Sequence, residues 1–218
     1  MGTFAFVTFL TLVRAPLVVA GTLCVLANLA WPSPSLLGAG AGLMALSAVT
    51  DLFDGMLARR WGVESRFGAL ADPLMDKVFW ICTMPAATFV ALYLEDIRHA
   101  AVLLALDIVS MLRDQWASFL RSVGSEYGAD VRASLSGKLR TFLAFPILLL
   151  VHLHLGVEVL ARAEGPWAGW TFLPPAAVYA MEGLLLALVV VSGFDYTRRY
   201  MPFLRRAAAP RRREERAS

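Results

Sequence analysis

"DLFDGMLARRWGVESRFGALADPLMD", residues 51–76, sets four aspartates and three arginines inside a chain that is otherwise strongly apolar. Asp51 and Asp54 stand three residues apart and Asp72 and Asp76 four apart, so on helices each pair shares one face. The connection between the pairs is short, which makes the two helix ends neighbours and lets all four carboxylates converge. Four carboxylates in one pocket repel, and they stay ionised together only beside a compensating cation. Hard divalent ions with oxygen ligands, Mg²⁺ or Mn²⁺, suit such a site. Gly55 removes a side chain where a ligand can approach the backbone, and Gly68 offers the same in the loop. Arg59, one turn beyond, is placed to meet phosphate oxygens. Carboxylates, divalent metal, glycine and arginine together point to phosphoryl chemistry on a phosphorylated substrate.

The surroundings of this stretch are those of a membrane protein. Of 218 residues, 58% are hydrophobic and 17% charged, against roughly a quarter charged in soluble domains. The mean hydropathy is +0.63. Long uncharged runs match the ~30 Å hydrocarbon core of a bilayer and predict an all-α integral membrane protein. Its six transmembrane helices are expected near 14–32, 36–59, 72–94, 98–121, 138–157 and 173–198. The start lacks a basic segment before its apolar stretch, and Arg14 interrupts that stretch, which argues against a cleavable signal peptide. Cys24 and Cys82 lie in apolar runs and read as small buried hydrophobes. His99, His152 and His154 show no ligand pattern; the last two are two apart and would diverge on a helix.

Lysines and arginines set the orientation. Arg14, Arg59, Arg60, Arg66, Arg121, Arg132, Lys138, Arg140 and eight arginines between Arg198 and Arg216 fall on one side, and Arg98 and Arg162 on the other. The positive-inside rule puts both termini and the 51–76 segment in the cytoplasm. Residues 1–200 read as one membrane domain. Residues 201–218 read as a basic cytoplasmic tail facing anionic lipid rather than a nucleic-acid arm. Trp167, Trp170 and Phe172 suit an interfacial aromatic belt.

Charges inside spans need partners, because each costs at least ~2.5–3.5 kcal/mol at the bilayer centre. Asp107, Arg113 and Asp114 lie within span four. Asp107 reads as a structural partner of Lys77 or an arginine. Arg113 divides between substrate and pairing with Asp114 or another aspartate, and Arg132 reads as solvated. Glu182, in the outer half of span six, has no evident role.

The pattern D-x2-D-G-x2-A-R-x8-G-x3-D-x3-D is met at Asp51, Asp54, Gly55, Ala58, Arg59, Gly68, Asp72 and Asp76. Eight fixed positions over 26 residues resemble the signature of the CDP-alcohol phosphotransferases, membrane enzymes of phospholipid synthesis. The resemblance implies a six-helix, usually homodimeric membrane fold with a two-metal site at the cytoplasmic surface. All four aspartates would bind or flank the metals, and Asp76 would be the general base for the acceptor alcohol. Gly55, Ala58, Arg59 and Ser65 would hold the CDP part, with Gly68 permitting close packing.

Outside the signature, three stretches resemble the bacterial phosphatidylglycerophosphate synthases of that family. "LTLVR", ending at Arg14, is similar to their LTxxR. "RDQWASFLR", from Arg113 to Arg121, is similar to RExxxSxxR, with Asp114 for glutamate. "GKLRT", from Gly137 to Thr141, is similar to GKxKT, with Arg140 for lysine. This implies CDP-diacylglycerol as donor and glycerol 3-phosphate as acceptor in the inner membrane of a bacterium. Arg113, Arg121, Lys138 and Arg140 form a cation cluster suited to a dianionic phosphate. Inositol phosphate, phosphatidylglycerol (giving cardiolipin) and serine are the alternative acceptors. Aspartate-rich prenyltransferases would need a second acidic motif, and a divalent-cation transporter would place its site at the midplane between repeats. Neither feature is present in the sequence.

Overall fold

In the computed structural model, residues 2–63, 65–129, 135–163 and 166–208 are described. The side chains of Arg66, Ala69, Leu70, Asp72, Pro73 and Asp76 lie outside the described set, as do Arg132 and the tail from 209 onward. Six helices follow one another: α1 Gly2–Ala30, α2 Pro34–Trp61, α3 Arg66–Tyr93, α4 Ile97–Glu126, α5 Leu135–Arg162 and α6 Pro175–Ala207. Their order and number match the expected spans, but the ends differ in ways that bear on the charged segment.

Helix α1 begins twelve residues before the expected position 14. Arg14 does not break it, because its side chain is buried and paired with Asp51. Helix α2 continues past the aspartates to Trp61 and stops at Gly62. That glycine adopts the left-handed conformation, φ 62°, while the Val63 N–H reaches the Ala58 carbonyl at 3.0 Å and the Gly62 N–H the Arg59 carbonyl. This is a Schellman closure, for which glycine is the favoured residue. Helix α3 starts at Arg66 rather than 72, because the Ser65 hydroxyl accepts the Gly68 N–H at 3.0 Å and caps the first turn. Gly68 thus belongs to a helix and not to a loop. All four aspartate positions lie within helices rather than at their ends, so the two helical spacings read from the sequence hold along the backbone.

Four helices, α1, α2, α5 and α6, are long and apolar enough to cross a membrane. The apolar part of α3 is shorter, Lys77–Tyr93, and α4 carries Asp107, Arg113 and Asp114 along its length. Exposed and buried chemistry are distributed as in a lipid-solvated protein. Phe9, Leu23, Ile81, Phe89, Leu112, Phe142 and Phe194 face outward, while Asn28, Thr83, His99, His152, Glu182 and Ser192 are buried. An apolar outer surface of this extent would be an association hazard in water and is the ordinary solvent contact in lipid.

The chain forms two compact units. The first comprises Met1–Asp107 and Ala144–Glu182. Within it α1 packs on α2 and α3. The α1–α2 contact is close because Gly21 and Gly40 face each other: a Cβ on either would lie 2.9–3.0 Å from the other's carbonyl oxygen. Such small-residue crossings are a standard means of helix association in lipid. We expect Gly40→Val to force the helices apart and lower stability by about 1–3 kcal/mol. Gly42→Ala should be neutral or stabilising, since a Cβ there meets open space. Thermal unfolding in detergent, monitored on the purified protein, distinguishes the two.

At the other end of the α1–α2 hairpin, the fully buried Asn28 accepts the Ser33 N–H at 2.8 Å and donates to the Gly156 carbonyl of α5 at 3.2 Å. A second polar group ties α4, α5 and α6 within this unit. His99 Nε2 and Glu182 Oε1 are 2.7 Å apart, with Tyr179 packed on the His99 ring and the His154–Glu158 pair nearby. Glu182, opaque in the sequence, is therefore one half of a buried hydrogen-bonded pair. His152 and His154 do diverge: His152 meets the carbonyls of Leu148 and Thr83, and His154 meets Glu158. Cys24 and Cys82 are free thiols, half-buried rather than buried.

The second unit comprises Ile108–Leu143 and Gly183–Ser218. Its core joins Ala117 and Leu120 of α4 to Tyr196 and Tyr200 of α6. Gly124 lets the Tyr200 ring lie against α4, since a Cβ there would sit 2.4 Å from the ring.

Candidate active site

Within the first unit, the residues of the signature are arranged along α2 and into α3. Asp51 and Asp54 share one face of α2, and that face meets α1. Arg14 Nη1 lies 2.5 Å from Asp51 Oδ1, and the Thr11 hydroxyl is 2.9 Å from Asp54 Oδ2. The same hydroxyl is also 3.2 Å from the Val7 carbonyl. It has one proton, and the shorter contact to the charged acceptor is the stronger one. Asp54 is only 4% exposed and Arg14 2%, so these two are held away from solvent, while Asp51 is partly exposed. The Ser47 hydroxyl donates to the Arg14 carbonyl at 3.3 Å and fixes α1 at the same level.

Further along α2, the Arg59 side chain folds back over Gly55. A Cβ at Gly55 would stand 3.6 Å from the guanidinium, so the glycine leaves the space that the arginine occupies. Ala58 lends its carbonyl to the α2 terminus, and Ser65 and Gly68 form the α3 cap. Asp72 and Asp76 lie on α3, and their side chains fall outside the described residues. Among the described residues, no group of three or more His, Cys, Asp and Glu is gathered as a metal site. The α2 half of the expected donor set fits a hard cation: two carboxylates on one helix face, one of them buried, with the Arg14 guanidinium beside the other.

The cation cluster expected for an acceptor phosphate lies in the second unit. Asp114 accepts from Arg113 Nη1 at 2.8 Å, and Arg140 Nη2 lies 3.0 Å from Asp114 Oδ1. The Arg113 guanidinium also donates to the Ser192 hydroxyl and stacks over the Tyr196 ring, 4.8 Å from its centre. Gly193 packs against the Arg113 side chain, where a Cβ would be 3.3 Å from Cγ. Arg121 turns back along α4 toward the Ala117 carbonyl and Ser118. Lys138 is exposed. Of the two roles left open for Arg113, the pairing with Asp114 is present. Ser192 and Tyr196 carry no motif and could not have been singled out in advance. In the first unit, Asp107 Oδ1 is buried with no hydrogen-bond partner among the described residues.

The CDP-alcohol phosphatidyltransferase family model matches residues 5–192, which takes in the α1 pair, the whole signature and the Arg113–Asp114–Arg140 group. The chain belongs to the CDP-alcohol phosphatidyltransferase family. Relatives named CDP-diacylglycerol–glycerol-3-phosphate 3-phosphatidyltransferase, from Escherichia coli strain K12, Escherichia coli O157:H7 and Shigella flexneri serotype 5b, are each 41% identical over 98 residues. The match takes in 38% of this chain and 52% of each relative, so the chain spans about half the length of the curated relatives it matches. No solved structure matches it. Membership of this phosphatidyltransferase family, with four apolar helices, makes the chain a membrane protein and stands against the prenyltransferase and transporter readings.

Proposed function

We propose that the chain transfers the phosphatidyl group of CDP-diacylglycerol to the hydroxyl of glycerol 3-phosphate, forming phosphatidylglycerophosphate and releasing CMP. The observation that carries this reading is the complete signature on α2 and α3, in a chain similar to relatives named for that reaction. The acceptor oxygen forms a bond to the phosphorus next to the lipid, and the bond from that phosphorus to the oxygen of CMP breaks. Asp76 takes the proton from the acceptor hydroxyl. Divalent ions, Mg²⁺ or Mn²⁺, in a two-metal site held by Asp51, Asp54, Asp72 and Asp76, would neutralise charge on the diphosphate. Gly55, Ala58, Arg59, Ser65 and Gly68 hold the CDP part.

In this reading Arg113, Arg121, Lys138 and Arg140 hold the phosphate of the acceptor. Asp114 binds two of these guanidiniums together, and the trio keeps one net positive charge. All six helices cross the membrane of a bacterial cell with both termini inside, consistent with the arginine distribution. The enzyme works as a homodimer, with residues 1–200 as the catalytic domain and 201–218 as the basic tail.

The phosphate role is tested by Lys138→Ala, at an exposed position whose loss leaves the described packing intact. Loss of one charge-assisted contact is worth about tenfold or more. The KM for glycerol 3-phosphate is expected to rise by that factor, with the KM for CDP-diacylglycerol unchanged. An unchanged KM for glycerol 3-phosphate removes Lys138 from the acceptor site.

A further inference from the structure

Thr11 and Arg14 are three residues apart on α1, as Asp51 and Asp54 are on α2. The two pairs meet in reversed order, Arg14 on Asp51 and Thr11 on Asp54, as two antiparallel helices require. Thr11, Arg14 and Asp54 are each less than 5% exposed, so the Thr11–Asp54 contact is made away from solvent, while Asp51 is partly open to it, with 28% of its side chain exposed. The Ser47–Arg14 hydrogen bond and the Gly21–Gly40 crossing leave α1 little freedom to slide along α2. Geometry of this kind does more than neutralise charge. A hydrogen bond to Oδ2 fixes the plane of the Asp54 carboxylate, and a guanidinium on Oδ1 fixes that of Asp51.

We propose that Thr11 and Arg14 are positioning residues of the carboxylate centre, with α1 setting the direction in which Asp54 and Asp51 present their oxygens to a divalent ion. This deepens the proposed function and rests on its metal site. Partners one step removed from a metal commonly change its affinity by about 10–100-fold when lost. Thr11 is the cleaner probe, because Thr11→Val keeps the shape and the net charge and removes only the hydroxyl. Arg14→Lys likewise keeps the charge but loses the planar fork.

The test is Mn²⁺ titration of the whole chain in lipid nanodiscs without CDP-lipid, following free Mn²⁺ by electron paramagnetic resonance. Thr11→Val is expected to bind Mn²⁺ about 10–100-fold more weakly than the parent, Arg14→Lys to be weakened in the same direction, and Thr11→Ser to match the parent. Thr11→Cys, close in size and a weak donor, serves if the valine variant does not fold, and it too should bind weakly. Parent-like Mn²⁺ binding by the folded Thr11→Val or Thr11→Cys protein overturns the positioning role while leaving the metal site in place. A parent protein that binds no Mn²⁺ overturns the metal site and the positioning role together.

Discussion

Asp76→Asn is expected to lower the rate of CMP release by about 10²–10⁴-fold, the usual contribution of a positioned general base. The change preserves size and removes the negative charge together with the ability to accept a proton. Under the proposed function it would also weaken one metal contact, and the two effects separate with Mg²⁺ concentration. Loss of metal affinity alone is relieved by raising Mg²⁺; loss of the base is not. A variant that recovers parental turnover at high Mg²⁺ would assign Asp76 to metal binding and move the proton to another acceptor. The position is on α3, two turns and more inside the helix that begins at Arg66, so the substitution disturbs no cap or turn.

The second large effect concerns stability. Glu182→Leu is expected to destabilise the protein by about 3 kcal/mol. The carboxylate is 1% exposed and faces the His99 ring nitrogen at 2.7 Å; its removal takes away the partner of a buried polar group on α4. His99→Leu should cost a similar amount. The double variant should cost less than the two together, because neither group is then left without its partner. Thermal unfolding of the four proteins gives the cycle. Neither residue belongs to the proposed catalytic machinery, so turnover per folded molecule is expected to stay at the parental value. Additive losses would show that His99 and Glu182 do not depend on each other.

These two cases mark how far the sequence can be read. Helical spacing made the Asp51–Asp54 and Asp72–Asp76 pairs legible, because periodicity is a local property that survives folding. The run of apolar segments likewise foretold six helices. What periodicity cannot supply is the partner on another helix. Glu182 finds His99 across 83 residues, and Asp54 finds Thr11 across 43; nothing local distinguishes either from an isolated polar residue. The helix ends were misplaced for a related reason. Arg14 and the aspartates look like boundaries when charge is weighed against lipid, yet α1, α2 and α3 run through them, and on α1 and α2 Arg14 is met by Asp51 and Asp54 by Thr11 across the helix contact. The cap at Ser65 is a local signal, obscured by placing the third helix where the aspartates begin. In the second unit, Arg113 could be expected to pair with Asp114, its neighbour in sequence. The contributions of Ser192 and Tyr196 arise only where α6 packs on α4.

The central claim is the reaction, and CMP release measures it directly. The purified protein in nanodiscs, given CDP-diacylglycerol and Mg²⁺, is assayed with glycerol 3-phosphate, inositol phosphate, phosphatidylglycerol, serine or no acceptor. The proposed function predicts release that depends on glycerol 3-phosphate and disappears in Asp76→Asn. Release with a different acceptor would contradict the assignment of the Arg113–Asp114–Arg140 group to glycerol 3-phosphate. No release with any acceptor, from folded protein that binds Mn²⁺, would contradict the transferase reading itself.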